Sequence, residues 1–251
     1  MPDKRIALIT GANQGVGLQV ARELVSNGLT ALVGSRNVER GEAAARDIGP
    51  GAIALQLDVT DQASIAAAAE PVRKEFGRLD LLVQNAAISN TRKGILSIQE
   101  YVKMSRASNA PLDEVRAVWE TNVFGVLAVY RTMLPLLRES SDARIVNVSS
   151  GAGSLTANAD LAYPHHAMFG PVYPASKAAL NAITLAMMVE LDSTGIKVNL
   201  VTPGFTKTNL NGYEGTASVE EGSREVVRVA LHGPDGPSGT FTRWENATIP
   251  W

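Results

Sequence analysis

Short apolar runs alternate along the chain with longer segments whose apolar residues recur every three or four positions. Arg5-Ile6-Ala7-Leu8-Ile9-Thr10 is rich in branched residues and is stopped by Gly11, which predicts a buried strand. Leu18, Val20, Ala21, Leu24 and Val25 then repeat at helical spacing until Asn27-Gly28 closes the segment. Further strands are predicted at 30–34, 53–59, 79–84, 144–151 and 197–202, with a last short one at 239–242. Helices are predicted from a cap at Thr60 or Asp61 to Phe76, from Leu112 to Arg138, from Pro174 to Asp192 and from Val219 to Leu231. This alternation predicts an α/β chain: one doubly wound, parallel sheet of about seven strands with helices on both faces, spanning 1–251 as a single domain. The pattern blurs between Asn90 and Pro111. That mixed polar stretch is long for a strand-to-helix connection and predicts an excursion over the surface or a lid. Its basic residues, at 92, 93, 103 and 106, fit a solvated charged face better than an anion site.

Chemistry-bearing residues gather at the carboxyl ends of the predicted strands. After the first strand comes Thr10-Gly11-Ala12-Asn13-Gln14-Gly15-Val16-Gly17, then a helix. Strand, glycine-rich turn and helix together aim backbone N–H groups at a phosphate, and glycine permits an approach that a Cβ would obstruct. A tight turn alone would also require glycine, and the spacing is G-x-x-x-G-x-G rather than G-x-G-x-x-G. The second strand leads into Ser35-Arg36-Asn37, where a dinucleotide-binding unit for NAD would place an acid. The nearest acids, Glu39 and Asp47, fall within the next helical segment. Arg36, helped by Asn13 and Arg40, instead suits a 2′-phosphate and argues for NADP, against the alternative of an ordinary surface arginine. Asp58-Val59 and Asn85-Ala86-Ala87 close the third and fourth strands, and Ser149-Ser150 the fifth. Asn122 lies in an apolar helical stretch, where a buried amide must tie backbone together or hold a functional water. Tyr173 and Lys177, four residues apart, share a helix face. A nearby ammonium favours the phenolate, and lowering a tyrosine from about 10 to about 7 corresponds to roughly 4 kcal/mol.

Bulk properties narrow the classes. The chain is 45% hydrophobic and 19% charged, enough apolar material for a sizeable core. A net charge of -2 without a basic block argues against nucleic acid and membrane surfaces as partners. Cysteine is absent, which excludes disulfides, thiolate metal sites and a cysteine nucleophile. The apolar run near the N-terminus is too short for a signal-peptide core, and no run reaches membrane-span length. A cytoplasmic protein is the expectation.

As a set, these residues resemble the short-chain dehydrogenase/reductase family. The likeness runs in family order through Thr10-Gly11-x-x-x-Gly15-x-Gly17, Asp58-Val59, Asn85-Ala86-Ala87, Asn122, Ser150, Tyr173-x-x-x-Lys177 and Pro203-Gly204-x-x-x-Thr208. The C-terminal third is most similar to the carbonyl-reductase branch, through Pro203 to Thr208, Ser218 to Gly222, Gly236 to Phe241 and the terminal Trp251. The resemblance implies a Rossmann fold and hydride transfer between NADP(H) and a small carbonyl or alcohol. It implies that Tyr173 protonates the carbonyl oxygen and that Ser150 hydrogen-bonds it. Lys177 would hold the nicotinamide ribose and lower the tyrosine's pKa, with Asn122 binding a water that leads to Lys177. It places Gly11, Asn13, Gln14, Gly15, Val16, Gly17, Ser35, Arg36, Asp58, Val59, Asn85, Ala86, Tyr173, Lys177, Pro203, Gly204, Thr206 and Thr208 along the cofactor, with Asp58 at the adenine and Thr208 at the carboxamide.

The chain also departs from the family pattern. Gln84 stands where asparagine is frequent and Ala87 where glycine is usual, and the Asn85-to-Asn122 separation is long. Tyr173 follows Ser150 by 23 positions, some ten more than usual. Tyr163 has the conventional spacing, but Ala167 stands four residues beyond it, so no ammonium activates it. His165-His166 lack the acids or cysteines that would make a metal site, and no metal is expected. The expected activity is NADPH-dependent reduction of an aldehyde or ketone. NADP-dependent oxidation of a secondary alcohol and a non-catalytic dinucleotide sensor are the alternatives. Substrate choice falls to the segments 88–111, 151–172 and 205–218. The apolar helices at 122–137 and 178–191 are compatible with a homo-oligomer, or with a monomer in which the 151–172 insert covers them.

Overall fold

A computed structural model describes residues 4–92 and 98–251. Lys93, part of the basic stretch, and the start of the N-terminal run at 1–3 lie outside the described residues. In order the elements are β1 (Ile6–Ile9), α1 (Gly15–Ser26), β2 (Thr30–Ser35), α2 (Val38–Ile48), β3 (Ala52–Gln56), α3 (Gln62–Phe76) and β4 (Leu81–Gln84). Then follow α4 (Ile98–Met104), α5 (Leu112–Trp119), α6 (Gly125–Arg138), β5 (Arg144–Val148), α7 (Leu155–Ala159) and α8 (Tyr173–Leu191). The chain ends with β6 (Lys197–Val201), α9 (Val219–Ala230), β7 (Phe241–Arg243) and β8 (Ala247–Thr248).

The strands form a single sheet in the order β3-β2-β1-β4-β5-β6-β7-β8. Seven are parallel, and β8 adds an antiparallel edge to β7 through Thr242 opposite Thr248 and Arg243 opposite Ala247. The sheet therefore has one strand more than the seven expected. Residues 247–248 are too few to show a period in the sequence.

Successive side chains on a strand point to opposite faces, and each face has its own core. Ile6 and Leu8 of β1, Leu82 of β4 and Ile145 of β5 pack under α3, α6 and α8. Ala7, Ile9, Leu81, Val83, Val146 and Val148 pack under α1, α2 and α9. Burial on both faces explains why these strands read as continuous apolar runs. From β1 the chain moves outward to β2 and β3, then returns to β4 on the other side of β1. The strand order thus reverses between β1 and β4, which leaves a crevice at their carboxyl ends.

The helix expected from Leu112 to Arg138 is interrupted. Residues Glu120–Phe124 form a π-helical turn between α5 and α6, so the uniform 3.6-residue spacing fails where Asn122 sits. Gly125 follows because a Cβ there would stand 2.7 Å from the Val59 carbonyl oxygen. The excursion at 90–111 contains α4, and the insert at 151–172 contains α7 and short 3₁₀ turns. The insert leaves the outer face of α8 open, with Leu185 and Val189 exposed there and Leu161 exposed within the insert itself.

Candidate active site

The crevice between β1 and β4 is fixed by polar contacts at the strand ends. The Thr10 hydroxyl accepts from the Asn85 and Ala86 amides, both at 3.0 Å. The Asn85 side chain donates to the carbonyls of Thr10 at 3.0 Å and Gly11 at 3.2 Å. Gly11 has φ +64° with Ala86 beside it, and a Cβ at Gly17 would stand 2.4 Å from the Asn85 amide nitrogen. The glycines are therefore required by close approach as well as by the turn. Helix α1 begins at Gly15 with no side-chain cap from Gln14 and no acid in its first turn. Its first N–H groups are free to bind a phosphate, and the helix dipole favours the anion.

One flank of the crevice lies along β2 and β3. Ser35 is buried, its hydroxyl donating to the Asn37 carbonyl at 2.8 Å. Arg36 is exposed and has no ion-pair partner among the described residues. Asp58 accepts from Thr60 through both backbone amide and hydroxyl, at 2.9 and 2.7 Å, while Val59 beside it is buried. From the opposite side comes the segment after β6. Thr206 is buried and donates to the Pro203 carbonyl at 2.8 Å. Thr208 lies 3.5 Å from where a Gly15 Cβ would stand. Thr208 thus faces the glycine turn across the cleft, while Thr206 packs against Gly222 at the start of α9. Cradle, free helix terminus and exposed arginine fit a dinucleotide phosphate chain.

Deeper in, β5 and α8 place Ser150, Tyr173 and Lys177 together. Ser150 is extended (φ -152°) and starts a 3₁₀ turn, Gly151–Gly153. That turn packs directly on α8, for a Cβ at Gly153 would stand 2.6 Å from the Lys177 carbonyl carbon. Tyr173 opens α8, with Pro174 tolerated in its first turn. Lys177 is buried, its ammonium nitrogen donating to the Val148 carbonyl at 2.9 Å and lying 5.8 Å from the Tyr173 ring centre. Asn122 is wholly buried and clamps backbone, accepting from the Ile88 amide and donating to the Ile88 carbonyl, both at 2.9 Å. It also donates to the Ser176 hydroxyl at 3.0 Å.

The charge balance differs from the expectation that Lys177 draws Tyr173 down toward neutrality. Burial pushes Lys177 down to about 7, so near neutral pH it is only partly an ammonium. Burial pushes Tyr173 up to about 12; Ser150 opposes this by hydrogen bonding and Tyr101 adds to it. Desolvation wins over the lysine because it weakens the very charge that would do the activating. Tyr173 therefore holds its proton near neutral pH. Tyr163 stands apart, its ring edge-on to His165 at 5.5 Å. His166 pairs through Nδ1 with the Asn158 carbonyl at 2.7 Å, and no cluster among the described residues could hold a metal ion.

Sequence reasoning missed the support beneath these groups. Asn181, one turn beyond Lys177, donates to the Gly153 carbonyl and accepts from Ser149 at 2.6 Å. Thr184 accepts from Asn147 at 2.8 Å. Polar residues at 173, 177, 181 and 184 form a stripe on an otherwise apolar helix, and that stripe was the available signal. Buried Glu114, in the first turn of α5, and half-buried Tyr101, in the stretch expected to run over the surface, carried none.

No helix among the described residues is long and apolar enough to cross a membrane. The short chain dehydrogenase family profile matches residues 5–218. The chain is 39% identical to the short-chain dehydrogenase anuI of Penicillium roqueforti, over 98% of this chain and 96% of that one. It is 31% identical to salutaridine reductase of Papaver somniferum, over 95% and 94%. Its fold superposes on NADPH-bound carbonyl reductase from chicken fatty liver with a TM-score of 0.79 and 29% identity, covering 99% of each chain. A metagenomic short-chain oxidoreductase in complex with NADP gives 0.73 at 26% identity, over 95% and 96%. The glycine cradle, the serine after β5, the tyrosine and lysine of α8 and this whole-length similarity have one source: the chain belongs to the short-chain dehydrogenase/reductase family, oxidoreductases that work with a nicotinamide dinucleotide.

Proposed function

We propose that the protein is an NADPH-dependent reductase of ketones or aldehydes. The observation that carries this reading is the placement of Tyr173 at the start of α8 with the Lys177 nitrogen 5.8 Å from its ring, opposite the turn that Ser150 begins after β5. NADPH, when bound, supplies the hydride. Gly11, Asn13, Gln14, Gly15, Val16 and Gly17 cradle its phosphates, and Asp58, Val59, Asn85 and Ala86 line the adenosine side. Arg36, with Ser35 next to it, takes the 2′-phosphate, consistent with the NADPH and NADP in the two structural relatives. Pro203, Gly204, Thr206 and Thr208 close the nicotinamide end.

Tyr173 donates its proton to the carbonyl oxygen as negative charge develops there, and Ser150 donates a hydrogen bond to the same oxygen. Lys177 holds the cofactor's ribose and returns a proton toward Tyr173. Asn122 keeps the Ile88 backbone and Ser176 in register beside that path. The substrate is held by the segments 88–111, 151–172 and 205–218 of a single Rossmann domain.

Loss of NADPH absorbance with a panel of aldehydes and ketones tests the reading. Wild type should turn over at least one carbonyl, and Tyr173→Phe should bind NADPH normally yet lose about 10³-fold in kcat/KM. Robust turnover by the Phe variant would refute the assignment of the proton donor.

A further inference from the structure

The chain returns to the active site through the end of the 151–172 insert, and helix α8 starts there without a side-chain cap. Val172, the residue before Tyr173, is fully buried and gives the first turn no side-chain hydrogen bond. That turn is built on backbone instead. The Ala175 amide donates to the Gly170 carbonyl at 3.1 Å, and the Ser176 amide to the Val172 carbonyl at 3.3 Å. The placement of residues 170–172 therefore sets where Tyr173 begins the helix.

Two side chains at the junction of α5 and α6 hold this entry. Trp119, the last residue of α5, donates from its indole nitrogen to the Pro171 carbonyl at 2.9 Å, across 52 positions of chain. Asn122, in the π-helical turn, donates to the Ser176 hydroxyl at 3.0 Å, and that hydroxyl donates to the Tyr173 carbonyl at 2.7 Å. One contact grips the chain two residues before Tyr173, and the other reaches Tyr173 itself through Ser176. On a further side a Cβ at Gly170 would stand 2.3 Å from the Ser105 carbonyl oxygen, just beyond α4. Pro171 has no N–H, so its carbonyl is its one backbone group available for a hydrogen bond, and the indole N–H can only donate. The covalent path from β5 cannot do this work, because α7 and short 3₁₀ turns intervene between Ser150 and Tyr173.

We propose that Trp119 is a positioning residue: its indole N–H holds the Pro171 carbonyl and thereby keeps the Tyr173 hydroxyl against the carbonyl being reduced. The proposal rests on the carbonyl-reductase reading, in which Tyr173 gives the proton. A donor displaced from hydrogen-bond reach of the reacting oxygen loses rate without loss of substrate binding.

The test is a double-mutant cycle of Trp119→Phe and Tyr173→Phe, following NADPH absorbance with the carbonyl that wild type reduces best. Phenylalanine keeps an aromatic ring and removes the N–H. Trp119→Phe alone should lower kcat about tenfold, with KM for the carbonyl and the Kd of NADPH within about twofold of wild type. In the Tyr173→Phe background the same change should cost less than about twofold, since no phenol remains to be placed. A tenfold loss in both backgrounds would overturn the proposal and leave Trp119 as a support for the fold. An unchanged kcat in the single variant, or a loss confined to KM or to NADPH affinity, would overturn it as well. Tyr173→Phe against wild type judges the reductase reading separately. A drop of about 10³-fold keeps that reading whatever the cycle shows, and equal rates remove the proton donor and this inference together.

Discussion

On the β1–β4 side of the cleft, Thr10, Gly11, Asn85 and Ala86 are joined by four hydrogen bonds, and a Cβ at Gly17 would collide with both Asn85 and Gly11. On the other side, the segments after β5 and β6 leave Leu155, Leu161, Met168, Phe205 and Tyr213 exposed. The first side is backbone held rigid by its own contacts. The second carries apolar side chains that only a substrate, or another surface, would cover. Contacts at strand ends fix the side proposed for the cofactor, whereas loops of irregular backbone shape the side proposed for the substrate.

The largest break in this comparison lies where the two sides meet. Two tyrosines stand in the insert region, and they should behave oppositely. Tyr173→Phe should lower kcat/KM about 10³-fold. Tyr163→Phe should change it by less than about twofold, because the ring contacts His165 and not Lys177. Comparable losses in steady-state assays of the two variants would show that the sides are not divided as described.

Spacing alone placed Tyr173 and Lys177 correctly, because i and i+4 share a face on any regular helix. The parallel sheet was equally legible, since strands buried on both faces lose their polar alternation. Asn122 was recognised as a buried amide, but its π-helical turn was not, because periodicity assumes a uniform helix. Glu114 in the first turn of α5 reads as an ordinary solvated acid. It is buried because Thr91 caps it, and that contact is tertiary. Tyr101 was invisible for the same reason: its bond to Ser89 spans a stretch without a period. The pKa balance was misjudged because spacing reports proximity but not desolvation.

Glycine substitutions sharpen the contrast at intermediate size. Gly17→Ala must displace the Gly11 carbonyl, 2.8 Å from the new methyl, as well as the Asn85 amide. Overpacking of this kind costs about 1–3 kcal/mol, so the melting temperature should fall and NADPH should bind at least about tenfold more weakly. Gly151→Ala, with nothing within 4 Å of its Cβ position, should leave both unchanged. Thermal melts with and without NADPH would measure the two together. At the rim of the same side, Arg36→Ala should weaken NADPH about tenfold through one exposed charge-assisted contact while leaving NADH within about twofold. Titrations of both cofactors that gave equal losses would remove Arg36 from the 2′-phosphate site.

At neutral pH the smallest effect, about twofold, concerns Lys177, where the two sides meet. Burial brings it down to about 7, so the ammonium is complete below that pH and is lost as pH rises through it. Tyr173, pushed up to about 12, keeps its proton throughout this window and cannot be the group that titrates. If the ammonium returns the proton that Tyr173 gives away, kcat/KM for reduction should be level in acid and fall above about pH 7. It should already be about twofold below its plateau at that pH, and about tenfold lower for each further unit. Lys177→Arg separates charge from geometry, because a guanidinium stays protonated across the range. The variant should be slower at its plateau, since the longer group cannot reproduce the bond to the Val148 carbonyl, yet its falling limb should move to higher pH. A limb that stays near pH 7 in the arginine variant would assign the titration to another group and remove Lys177 from the proton path.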